Sequence, residues 1–164
     1  LEALRWLLCR VSPGLETLGL LEVCDKGLPV VFSELFPPPS LFQPVCRPRL
    51  QDLQVGGGLR GDAALDASVE SDELLHALAR GAAPALRQLH LDKLRCSTDA
   101  WRALGGAMGV ESQTLRQLRS LVLEQVFYAD PQQLDALTRG IGDGHGCPYL
   151  ESLELDGPDH PVVG

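Results

Sequence analysis

A six-residue pattern, L-x-x-L-x-[LV], occurs five times at a nearly constant interval, and nothing else in the chain constrains its fold as strongly. The copies are Leu15–Leu20, Leu50–Val55, Leu86–Leu91, Leu118–Leu123 and Leu150–Leu155, with first leucines 35, 36, 32 and 32 residues apart. The end of each copy alternates apolar and other residues, the signature of a short strand with one buried face. Strands are therefore expected near 17–21, 52–56, 88–92, 120–124 and 152–156. The roughly 30 residues between copies exceed the dozen or so that a parallel crossover needs.

The intervening segments read as helices. Glu73–Arg80 has helical apolar spacing, with Ser71 as a cap. Asp99–Leu104 follows Ser97 and Thr98 in the same way. Asp130 and Pro131 open a third helix, proline being favoured at the first helical position. Leu1–Val11 fits a fourth, ended by Pro13-Gly14, and Gly81, Gly109 and Gly140 are natural stops. Strand, loop, helix and loop repeated at one period predict an α/β stack. No unit can bury its own leucines, so neighbours must share one core between a parallel sheet and a row of helices.

Two stretches break the regularity, 24–49 and 56–70, and are expected to be loop-rich insertions. The first holds Pro37-Pro38-Pro39, which forbids helical hydrogen bonding; Phe32, Phe36 and Phe42 are expected to cap the core from that loop.

These copies resemble the leucine-rich repeat, of the long-repeat type found in ribonuclease inhibitor. The best match is Leu86–Leu94 running on to Asp99–Leu104, and the resemblance covers residues 1–23 and about 50–157. It implies a single solenoid domain of about five repeats, with the parallel sheet on the concave side and the helices on the convex side. It also implies a non-catalytic protein-binding scaffold. The family places Asn or Cys where the chain leaves each strand; here those positions are Val23, Gly58, Leu94, Val126 and Pro158, and the chain has no Asn at all. The turns are expected to rely on apolar packing and the repeat to be irregular.

Net charge is −8, unevenly spread. Residues 120–164 hold eight acids and one base, Arg139, whereas residues 1–119 hold 14 acids and 13 bases. Such a surface repels a polyanion, so nucleic acid is not the expected partner. The chain has no run approaching the roughly 20 apolar residues of a membrane span, so no membrane association is expected. Cys9, Cys24, Cys46, Cys96 and Cys147 are odd in number and form no C-x-x-C pair, which points to reduced thiols rather than a disulfide or zinc framework. With no signal-like start, an intracellular, cytoplasmic protein is expected, and a beginning at Leu1 within helix-like residues suggests a segment of a longer one.

No arrangement carries chemistry. Gly56–Asp62 lacks the Gly-Lys-Ser/Thr ending of a phosphate loop, and its Arg60-Gly61-Asp62 is a chance match to an integrin-recognition tripeptide. Gly140–Gly146 has glycines at dinucleotide-loop spacing, but they end a helix and lead into a strand, the reverse of a dinucleotide-binding loop. His145, Cys147 and His160 follow no zinc spacing; His76 and His90 have no evident nucleophile beside them. No cofactor, metal or catalytic residue is expected.

The binding face follows from the alternation. Residues between the strand leucines point outward in columns: Thr17, Asp52, Gln88, Ser120, Ser152; then Gly19, Gln54, His90, Val122, Glu154; then Leu21, Gly56, Asp92, Glu124, Asp156. Strands about 4.8 Å apart would stack Asp92, Glu124 and Asp156 as a carboxylate row that gains nothing for folding. A Lys/Arg-rich protein segment would neutralise it. The candidate partner-binding residues are thus Asp92, Glu124 and Asp156, with Glu154, His90 and Gln88 beside them. The alternatives are a structural segment of a larger repeat protein, a regulator or ligase adaptor whose binding surface lies elsewhere, and an enzyme, which would need a pocket with convergent polar groups.

Overall fold

The structure, a computed structural model, describes residues 14–23, 49–57, 72–92, 94, 96–109, 112, 114–124, 131–141 and 149–156. Within them the leucine pattern makes one parallel five-stranded sheet in chain order: β1 (Thr17–Val23), β2 (Asp52–Gly57), β3 (Gln88–Asp92), β4 (Ser120–Glu124) and β5 (Ser152–Asp156). The register aligns the repeats residue for residue, so that Leu18, Leu53, Leu89, Leu121 and Leu153 are successive partners.

Each later crossover carries a helix: α1 (Asp72–Ala79), α2 (Thr98–Met108) and α3 (Pro131–Ile141), with α2 packed against both others. Their apolar stripes and the strand leucines share one core, in which Leu74, Leu75 and Leu78 of α1 and Trp101 and Leu104 of α2 meet Leu89, Leu91, Leu121 and Leu123. Burial alternates along β3 and β4 as the leucine spacing requires. None of the helices among the described residues is long and apolar enough to cross a membrane.

The first leucine of each pattern has a job outside the strand. Leu50, Leu86 and Leu118 are buried, turning the chain inward before the strand begins. The next residue then starts a backbone ladder absent from the sequence reading. The Glu16 carbonyl accepts from the N–H groups of Gln51 (2.7 Å) and Asp52 (3.0 Å), Gln51 from Arg87 and Gln88, Arg87 from Arg119 and Ser120, and Arg119 from Glu151 and Ser152. Neighbouring units are thus stitched by main-chain groups on the lead-in side. On the other side, Leu94, where the chain leaves β3, is buried among apolar neighbours. Gly58, Val126 and Pro158 lie outside the described residues.

The helix ends follow local chemistry, with corrections. Ser97 caps α2, its hydroxyl accepting from Ala100 N at 3.2 Å. The Ser97 N–H in turn donates to Asp72 Oδ1 at 2.7 Å, tying the start of α1 to the start of α2. Pro131 opens α3 as expected. Gly81 follows α1 at φ +86°, with Gly81 N donating to the Leu78 carbonyl and Ala82 N to that of Ala77, a left-handed stop that favours glycine. Gly109 ends α2 with φ −67° and ψ 161°, extended backbone open to any residue, and Gly140 lies inside α3 rather than ending it. A Cβ at Gly81 would sit 3.0 Å from Thr114 Cγ2. Gly81→Ala is therefore expected to destabilise the fold by about 1–2 kcal/mol, read as a lowered urea midpoint at unchanged m.

Two boundaries differ. Gly56 and Gly57 belong to β2, so the second irregular stretch begins after them. β1 extends to Val23, and its register slips: Leu20 pairs with Val55 and Val23 with Gly57, leaving Leu21 and Glu22 against one residue. Leu21 therefore does not align with Gly56 as the expected third column required. The expected Leu1–Val11 helix, the proline segment with Phe32, Phe36 and Phe42, the caps Ser71 and Asp130, and His145, Cys147 and His160 all lie outside the described residues.

Candidate functional site

The outward face of the sheet is assembled by the same register that buries the leucines. Its first row runs Thr17, Asp52, Gln88, Ser120 and Ser152, and its second Gly19, Gln54, His90, Val122 and Glu154. The third row is shorter than expected: Gly56, Asp92, Glu124 and Asp156.

The six candidate residues fall into three groups. Gln88 and His90 help line an open groove of about 290 Å³ that runs over β1 to β4 beside Thr17, Asp52, Gln54 and Ser120. Gly19 leaves this surface open, since a Cβ there would meet nothing within 4 Å. Thr17 Oγ1 donates to Asp52 Oδ2 at 3.2 Å along the groove's first row. Asp92, Glu124 and Asp156 occupy adjacent register positions at the strand ends, next to the groove rather than in it. Glu154 is exposed on β5, the strand at the edge of the sheet.

His90 links the groove to the acidic row. Its Nε2 lies 3.4 Å from Glu124 Oε1, within ion-pair range, with His90 and Glu124 side chains 27% and 37% exposed. The approach lacks hydrogen-bond alignment, and the buried Nε2 makes no hydrogen bond. Such a contact becomes a charge pair only when the imidazole is protonated.

The groove is open and lined by neutral amides, hydroxyls, one carboxylate and one imidazole, together with Leu18, Gly19, Leu53, Leu89 and Val122. The polar groups of that set can hydrogen-bond an extended chain laid across the strands. Cys96, the thiol among the described residues, is buried between sheet and helices; burial, and then the Asp72 carboxylate, push its pKa well above the ordinary thiol value, so it stays protonated and unreactive. Sequence reasoning wrote the groove-forming Thr17, Gly19, Asp52 and Gln54 into its columns but did not select them. Their signal was position rather than charge. No protein-family model, curated protein or solved structure matches the chain.

Proposed function

We propose that this chain is a leucine-rich-repeat solenoid of the long-repeat type, and that its outward, concave sheet face binds a protein partner without chemistry of its own. One observation carries the reading. The residues alternating with the strand leucines stand side by side in register across the strands, as an open surface of mixed polar and apolar groups bordered by Asp92, Glu124 and Asp156. A basic, extended segment fits this surface: its backbone reaches Gln88, Gln54 and Ser120 in the groove, while its lysines or arginines neutralise the acidic row and Glu154. The partner is protein; neither nucleic acid nor a cofactor is invoked.

The test uses a defined probe, a fluorescently labelled octapeptide of alternating arginine and serine, titrated at two salt concentrations. The parent chain is expected to bind it with an affinity that falls as salt rises. The variant D92N/E124Q/D156N is expected to bind about tenfold more weakly, the sum of three charge contacts of about 0.5 kcal/mol each. Equal affinity in parent and variant would overturn the reading.

A second reading rests on a different observation. Leu153 and Leu155, the inward leucines of β5, are 53% and 45% exposed, whereas their partners Leu121 and Leu123 are fully buried. A further unit of the same pattern would cover them. On this reading the chain is a structural piece of a larger repeat regulator or ligase adaptor, with its binding surface elsewhere, and the charge variant leaves partner binding by that larger protein unchanged.

A further inference from the structure

The leucine pattern that aligns the strands also aligns the residue after each first leucine. Arg87 and Arg119 occupy that position in adjacent repeats, and Arg119 N donates to the Arg87 carbonyl at 2.8 Å. Their side chains, with those of Arg116, Gln117 and Tyr149, line a cleft of about 340 Å³ on the lead-in side of the sheet, apart from the outward groove. We propose that this cleft binds a phosphate monoester.

The argument is one of charge and shape. Guanidinium groups are always protonated, so three of them converge on one opening. Arg119 Nη1 donates to Glu151 Oε1 at 2.9 Å, so one of the three guanidinium groups already has a carboxylate partner. Arg116 lies over the Tyr149 ring at 6.0 Å, which orients the guanidinium without neutralising it. Arg87 has no side-chain hydrogen bond or ion pair among the described residues. Among the described residues, three positive charges against one negative leave an excess of two. A phosphate monoester carries about −1.5 to −2 at neutral pH and matches that excess, whereas a further carboxylate carries only one charge. Arginine forks also suit the phosphate oxygens geometrically, and the Gln117 amide adds a neutral donor at the rim. The acidic last quarter of the chain still repels an extended polyanion, so the cleft suits a single phosphate group rather than a nucleic-acid backbone.

The site is tested by titrating the whole chain with three small compounds: N-acetyl-phosphoserine N-methylamide, inorganic phosphate and N-acetylglutamate N-methylamide. Arginine Nε–H and Tyr149 ring resonances report binding. Saturable shifts are expected with a phosphate compound, at an affinity about fivefold or more above that of the glutamate compound. Tighter binding of the phosphoserine compound assigns the source as a phosphorylated chain; tighter binding of inorganic phosphate assigns it as a small free phosphate. The variant R87A/R116A is expected to lose about tenfold or more, and R87Q/R116Q, which keeps more of the side-chain packing, to lose a similar amount. Glu151→Gln is expected to tighten binding about two- to fivefold by releasing Arg119. Absence of saturable shifts, equal affinity for the glutamate compound, unchanged binding in both double variants, or weaker binding in Glu151→Gln would overturn the proposal. The outcome is independent of whether the outward face binds a basic segment.

Discussion

Trp101→Ala is expected to lower the free energy of unfolding by about 3–5 kcal/mol, the largest loss from any single side chain in the described core. Trp101 is fully buried on α2, the helix packed between α1 and α3 and held at its start by Ser97 and Asp72. Truncation removes the largest core side chain from water-free surroundings and leaves a void that helices tied to both neighbours cannot close. Chemical denaturation read by circular dichroism checks this. A loss below about 1 kcal/mol would mean that α2 is not seated on the sheet, because a seated helix cannot surrender that volume cheaply. Trp101→Phe, which keeps most of the volume, is expected to cost clearly less.

Leu121→Ala and Leu153→Ala are expected to separate sharply, although the two leucines are register partners in one pattern. Leu121 is fully buried, and its truncation is expected to cost about 2–5 kcal/mol. Leu153 is 53% exposed, and its truncation is expected to cost under about 1 kcal/mol, since little apolar area returns to water. Sequence alone assigns both the same role. The difference lies in the neighbour: β4 has β5 on its far side and helices beneath it, whereas β5 is an edge. Measuring both variants at two protein concentrations adds a control. If Leu153→Ala costs as much as Leu121→Ala, and more so at the higher concentration, the face of β5 is covered by association in solution rather than open.

Which parts were legible follows from which interactions are local. The position of every described strand came from leucine spacing, because a side chain must alternate across a strand and a buried one must be apolar. The starts of α2 and α3 came from Ser97 and Pro131, whose preferences act within one turn. The slip between Leu20 and Val23 was not legible: it depends on where β1 stops matching β2, a property of two strands and not of either one. Gly140, inside α3 rather than at its end, misled for a related reason, whereas Gly109 ends α2 as expected but in extended backbone. Glycine permits a left-handed stop but does not compel one, and only Gly81 uses that freedom among the three. The main-chain ladder from Glu16 to Arg119 could not be read at all, since backbone groups carry no residue identity.

For the candidate sites, the sequence by itself determined which residues of β2 to β5 share a column, though not Leu21 of β1, because a period of two and a nearly constant repeat leave a parallel stack no other register that buries its leucines. It also determined where the excess negative charge lies. Only the tertiary structure decided that Gln88 and His90 share a groove with Thr17 and Asp52 while the carboxylate row stands beside it. It alone brought Arg87, Arg116 and Arg119 to one cleft with Tyr149, and it alone left Leu153 and Leu155 in water. The reason is the same in each case: these properties depend on distances between side chains and on what lies across from a given surface, and both are set by how neighbouring repeats pack rather than by the order of residues within any one of them.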